Sequence, residues 1–217
     1  MATKLTALGV PIALLVLVLV LVASGGSPAA PPPTADDGVG ATGGSWHGAD
    51  AIARLKDAEG NFVGVVRFES EGNVVEVEAD VKNVDVNAGE FHGFHVHQTG
   101  KCNPESVDPA TGSPFFSAGG HFNPSGEDHG DHAGDFPVLL VQSDGDADEE
   151  FDTDRFRLWQ LFDRDGSAVI VHAGLDNYAN IPERYHSHTE EVFGPDSATL
   201  ATGDAGARFA CGVVRRS

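Results

Sequence analysis

Six of the ten histidines in this chain fall in a pattern that could hold metal ions: His95-x-His97, His121, His129-x-x-His132-x-x-Asp135 and, further on, His172. Around Phe91-His92-Gly93-Phe94-His95-Val96-His97 the apolar residues alternate, which reads as a strand whose successive side chains point to opposite faces. His95 and His97 therefore share one face, and Phe94, Val96 and His92 share the other. An HxH pair also occurs on ordinary surface strands, so the pair alone decides nothing. His172 adds a third imidazole from the end of Ser167-Ala168-Val169-Ile170-Val171, a second strand-like run that could lie beside the first. Three neutral imidazoles suit copper, nickel or zinc, and a nitrogen-rich site with an open position suits copper redox chemistry.

His121, His129, His132 and Asp135 form a second set, in a segment dominated by Gly, Pro, Ser and Asp from Gly119 to Asp135. Such a loop buries little apolar surface, so a bound ion is a physical reason for it to be ordered. Three nitrogens and a carboxylate with no vacancy match a closed, tetrahedral structural zinc site.

Both sets need a rigid frame. Strand-like alternations run over 49–56, 62–69, 74–81, 91–97, 138–142, 149–153, 168–172 and 207–214, separated by turn clusters such as Asp57-Ala58-Glu59-Gly60-Asn61 and Glu71-Gly72-Asn73. Eight short strands with this punctuation predict an all-β sandwich or barrel. Residues 154–162 fit a helical turn or a strand equally. Asp144-Gly145-Asp146-Ala147-Asp148-Glu149-Glu150 resembles the start of a calcium loop. Glu149 stands where such a loop needs glycine, however, and Arg155 stands at the twelfth position, so a hairpin turn is expected. The sequence carries no nucleotide-binding fingerprint and no serine-nucleophile motif.

The strings Gly93-Phe94-His95-Val96-His97, Ser117-Ala118-Gly119-Gly120-His121-Phe122-Asn123-Pro124, His132-Ala133-Gly134-Asp135, Val171-His172-Ala173-Gly174 and Gly203-Asp204-Ala205-Gly206-Ala207-Arg208-Phe209-Ala210-Cys211-Gly212-Val213-Val214 resemble the copper/zinc superoxide dismutase family, in the family's order. The stretch from His172 to Tyr185 is similar to its bacterial, exported branch. The resemblance implies an eight-stranded Greek-key β-barrel with long metal-binding and electrostatic loops. It also implies copper on His95, His97, His121 and His172, and zinc on His121, His129, His132 and Asp135. By the same resemblance His92 hydrogen-bonds within the copper site, and Asp176 links imidazoles of the two sites. Arg208, with His121 the implied catalytic residue, stands beside the open copper position to hold the superoxide anion, and Cys102 and Cys211 form a disulfide. Two unrelated buried thiols are the alternative for the cysteines. The implied activity is conversion of superoxide to oxygen and hydrogen peroxide. A noncatalytic copper/zinc-binding or buffering protein on the same barrel is the competing class, and the presence of Asp176 and Arg208 favours the enzyme.

Thirty-three acidic against thirteen basic residues give a formal charge of −20, which argues against nucleic acid as a partner and would repel an anionic substrate as a uniform field. A local field from Arg208 and the metals, with Arg184 or Lys101 nearby, must then dominate. An apolar run over 5–23 after Lys4, followed by small residues, reads as a signal peptide or a membrane anchor at 1–23. Residues 24–45 read as a disordered Gly/Pro/Ala-rich tether, and 46–217 as the catalytic domain. Export and an even cysteine count point to an oxidising, extracytoplasmic compartment. His186-Ser187-His188 has no counterpart expected in the family; exposed imidazoles or a further copper or zinc site are the two readings. The sequence does not distinguish monomer from homodimer.

Overall fold

The computed structural model describes residues 50–217; the expected signal or anchor at 1–23 and the tether at 24–45 lie outside the described residues. In chain order the strands are β1 (Ala51–Asp57), β2 (Phe62–Glu71), β3 (Val74–Val81), β4 (Phe91–His92), β5 (Phe94–His97), β6 (Leu139–Leu140), β7 (Ala147–Thr153), β8 (Ala168–His172), β9 (His186–Ser187), β10 (Val192–Phe193) and β11 (Arg208–Arg216). Short 3-10 turns occupy Phe116–Ala118 and Leu158–Phe162, and one α-helix, α1, spans Ser197–Thr202.

Alternation does the sorting that the sequence predicts. On β1 and β3 the residues Ala51, Ala53, Leu55, Val75, Val77, Ala79 and Val81 are buried, while the intervening positions are not. Each large aliphatic or aromatic side chain so buried contributes about 1.5–3 kcal/mol of transfer free energy. Seven strands form one antiparallel sheet in the order β5-β8-β11-β1-β2-β3-β7. Its two edges are joined by the pair β4–β6, because β4 runs into β5 through Gly93 and β6 turns into β7. With β4 and β5 counted as one interrupted strand, the result is the expected eight-stranded barrel. The connections from β3 to β4 and from β7 to β8 carry the chain between non-neighbouring strands, the Greek-key path.

Two local expectations are refined and a third is met. The single strand over 91–97 is broken at Gly93, whose N–H donates to Gly174 O and whose carbonyl accepts from His172 N (both 2.8 Å). A Cβ there would sit 2.6 Å from the Cβ of Ala205, so the chain can pass only as glycine. Residues 154–162 become a loop ending in a 3-10 turn, whose Gln160 Oε1 accepts from Arg157 N (2.7 Å). Asp144–Asp146 is a hairpin turn, closed by Gly145 N to Gln142 O (2.9 Å).

Candidate metal centre

Strand β5 is buried on both faces, which explains why it lacks an exposed polar side. Phe94 and Val96 enter the barrel core, where Phe94 packs on Phe136 at 5.2 Å between centroids. His95 and His97 face the other way, under the loops. The second edge of β5 is covered by two loop segments. Phe122 N donates to Val96 O (2.8 Å), Val96 N to Gly134 O (2.9 Å), and isolated bridges pair His97 with His121 and His95 with Asp135. On the inner edge β8 pairs with β5, as the sequence suggests, with His95 opposite Ile170. Backbone pairing alone thus brings His95, His97, His121, Asp135 and His172 together.

Among the described residues a trio of His95, His129 and Asp176 converges, and two groups of four converging ligand atoms result: His95, His97, His121 and His172, and His121, His129, His132 and Asp135, all buried. His121 belongs to both. The hydrogen bonds decide which nitrogen of each ring is left bare, since a carbonyl can only accept. His97 Nδ1–H donates to Gly119 O (2.9 Å) and His172 Nδ1–H to Gly206 O (3.2 Å). Each ring therefore presents a lone pair at Nε2, and these two atoms lie 3.4 Å apart in a buried site. Two facing lone pairs are a poor arrangement unless a cation lies between them. His95 Nε2–H donates to Asp176 Oδ2 (2.5 Å), and its Nδ1 is buried without a hydrogen-bond partner.

The second group behaves alike. His129 Nε2–H donates to Asp176 Oδ1 (2.8 Å), leaving Nδ1 without a hydrogen bond, although it lies 3.2 Å from Asp135 Oδ2. His121 Nδ1 and His132 Nδ1 face each other at 3.3 Å, and both approach Asp135 Oδ1, at 2.8 and 3.3 Å. Bare nitrogens and a carboxylate, converging away from water, are the donor set that copper and zinc require.

Asp176 spans the two groups, touching His95 with one oxygen and His129 with both, while Tyr178 N donates to Oδ1 (2.7 Å). Sequence reasoning missed the residue that makes room for it. Gly203 ends helix α1 with φ of +61°, and a Cβ there would collide with Asp176 Oδ1 and His129 Nε2. Only its place after a six-residue helical pattern hinted at a left-handed cap. His92, on β4, is fully buried and joins from the core side, its Nδ1–H donating to His172 O (2.7 Å).

Arg208 is placed by a β-bulge. It lies opposite His172, but the next paired residue is Ala210, so one extra residue on β11 re-aims the side chain. Its guanidinium donates to Phe115 O (2.7 Å) and to Gly119 O (2.6 Å), the carbonyl that also receives His97. The disulfide Cys102–Cys211 ties the segment carrying those carbonyls to β11. Of the other cations considered, Lys101 is exposed and Arg184 lies over the Tyr185 ring at 4.8 Å. His186 and His188 sit on the β9–β10 hairpin with ring centroids 5.3 Å apart, and His186 Nε2 is 3.6 Å from Glu191 Oε2. They join neither converging group.

Charge follows burial. Desolvation holds His95 and His97 well below the ordinary value of 6.5, lowers His121, and takes His172 to about 3. His129 goes the other way, to about 9: burial lowers it, but the negative carboxylates of Asp135 and Asp176 on either side of the ring outweigh that. In the metal-free protein the four depressed histidines favour folding fully above pH 6.5, and that stability is lost as pH falls towards their folded values. Each costs up to about 1.4 kcal/mol per pH unit. His129 opposes them: its contribution is full below pH 6.5 and is lost as pH rises from there to about 9. The urea midpoint of chelator-treated protein is therefore expected to drop steeply between pH 6.5 and 5. A flat profile there would contradict these buried neutral rings.

The antiparallel barrel thus carries two adjoining nitrogen-rich groups of side chains, with His121 in both, that could hold metal ions. The family model described as copper/zinc superoxide dismutase (SODC) matches residues 62–214, and the chain belongs to that family, an enzyme family whose cofactors are copper and zinc. A superoxide dismutase [Cu-Zn] of Mycolicibacterium paratuberculosis is 41% identical over 162 residues, covering 74% of this chain and 71% of the relative. Its namesake in Mycobacterium tuberculosis is also 41% identical, covering 74% and 68%. Among solved structures, the Cu/Zn superoxide dismutase of Brucella abortus aligns with a TM-score of 0.55 at 25% identity, over 76% of this chain and 99% of that one. A SOD-like protein from Bacillus subtilis aligns with a TM-score of 0.54 at 28% identity, over 75% and 96%.

Proposed function

We propose that the chain is an extracytoplasmic superoxide dismutase in which His121 is shared between copper and zinc. The observation that carries this reading is the set of bare nitrogens. Copper would be held by His95 Nδ1, His97 Nε2, His172 Nε2 and His121 Nε2. Zinc would be held by His121 Nδ1, His129 Nδ1, His132 Nδ1 and the Asp135 carboxylate. Bound copper supplies a one-electron couple that accepts an electron from one superoxide, giving oxygen, and returns it to a second, which with two protons gives hydrogen peroxide.

The chain's own groups supply the rest. His121 moves a proton at Nε2, because its Nδ1 is committed to the side of Asp135, 2.8 Å away. Asp176 fixes the His95 and His129 tautomers by accepting from both Nε2 atoms, which keeps their Nδ1 atoms available as donors to metal. Arg208 has five N–H donors, of which two are held by carbonyls, so its plane is fixed beside His97 and its charge can attract and orient the anion. This local charge answers the difficulty of the −20 total. A noncatalytic metal buffer would need neither a shared imidazole nor this arginine.

Residues 1–23 are proposed to direct export or to anchor the chain, with 24–45 as tether and 46–217 as catalytic domain. The disulfide supports an oxidising compartment. No helix among the described residues is long and apolar enough to cross a membrane. Metal analysis joined to a superoxide-consumption assay tests the function: one copper and one zinc per chain with fast consumption is expected, and stable copper without turnover would overturn it. Arg208→Ala is expected to slow consumption about tenfold and to flatten its dependence on ionic strength, read from rates across a salt series.

A further inference from the structure

The loop that carries the proposed zinc ligands is held from two sides. From inside, Asp135 Oδ2 accepts from the backbone N–H groups of Gly130 (2.8 Å) and His132 (3.1 Å). From outside, Arg155 Nη1 donates to the carbonyls of the same two residues, Gly130 O at 2.8 Å and His132 O at 3.2 Å. Arg155 follows β7 in the chain, and its own N–H donates to Thr153 Oγ1 (3.3 Å), so the guanidinium is mounted on the barrel and not on the loop. One planar cation thus fixes both peptide carbonyls that flank Asp131, between the ligand positions His129 and His132.

We infer that Arg155 is a positioning residue for zinc: its fork pre-forms the 129–135 loop so that His129, His132 and Asp135 converge before the ion arrives. This rests on the zinc assignment proposed above. The chemistry favours arginine over lysine, because one Nη must satisfy two carbonyls in a fixed plane, whereas an ammonium on a flexible stem has no such preset geometry. Its remaining ionic contact, Nη2 to Asp131 Oδ1, is long at 3.9 Å, and Asp131 is exposed, so the charge pair contributes little. The function lies in the carbonyl contacts, which would otherwise face water or one another.

The test measures zinc release from the copper- and zinc-loaded protein to a chromogenic chelator at neutral pH, together with copper content and the urea midpoint. Arg155→Met is expected to release zinc at least about tenfold faster, the range typical of groups that orient metal ligands, with copper retained. Arg155→Lys should fall between the two, and Asp131→Asn should behave as wild type. A merely structural role would lower the urea midpoint and both metals together. Wild-type zinc release in Arg155→Met, or equal loss of copper and zinc, overturns the inference; if Arg155→Met does not fold, Arg155→Lys releasing zinc at the wild-type rate does so. A wild-type protein that takes up no zinc would instead refute the zinc assignment.

Discussion

Replacing His121 by alanine is expected to lower superoxide consumption by about 10²–10⁴-fold at matched copper content, the range that loss of a positioned proton donor commonly produces. The size follows from its double membership: it is the residue common to the two converging groups of four. Its ring stands 4.0 Å from that of His95 and 5.3 Å from that of His132, so it is packed between the two sets. The substitution removes one donor from each site and the Nε2 at which a proton can be held. On the proposed assignment zinc would be left with His129, His132 and Asp135 and should leave more readily than copper. A stopped-flow measurement of superoxide decay, with copper and zinc quantified on the same sample, separates metal loss from proton transfer. A rate near wild type at equal copper would mean that the proton comes from elsewhere.

The converging side chains were legible because each is a rare, chemistry-bearing type at a spacing that secondary structure converts into direction. Two-residue spacing put His95 and His97 on one side of β5, and the pairing of β5 with β8 placed His172 beside them. Eight strands were equally legible, because half-buried strands advertise themselves by alternation. What stayed hidden lies in backbone conformation and in contacts between distant segments. The break at Gly93, the extra residue between Arg208 and Ala210, and the vacancy at Gly203 have no periodic signature. Arg155 read only as the wrong residue for a calcium loop, although its guanidinium reaches back over 20 residues to the carbonyls of Gly130 and His132. The carbonyls of Gly119 and Gly206 select the bare nitrogens of His97 and His172, and any residue type can supply a carbonyl.

Removing the disulfide by Cys102→Ser with Cys211→Ser is expected to cost about 4–5 kcal/mol of stability, the chain-entropy value for a loop of this order, read as a lowered urea midpoint. That is a large fraction of the ~5–15 kcal/mol that holds a typical domain. The bridge also fixes a piece of the site. Between Cys102 and Gly119 lie three groups that hold Arg208: Ser113 Oγ, which accepts from its backbone N–H, and the carbonyls of Phe115 and Gly119, which accept from its guanidinium. The same Gly119 carbonyl sets the His97 tautomer. Around the bridge, Phe115, Ala118, Ala168, Ile170 and Cys211 form a small apolar cluster of their own, separate from the barrel core. Without the covalent link only this cluster and the three hydrogen bonds to Arg208 keep the segment on β11, and Arg208 loses its fixed plane whenever the segment lifts. The variant is therefore expected to consume superoxide more slowly than wild type at a temperature where both remain folded, with a weaker salt dependence, as in Arg208→Ala. If the variant is destabilised but turns over at the wild-type rate, the noncovalent contacts suffice to hold Gly119 in place and the bridge serves stability alone.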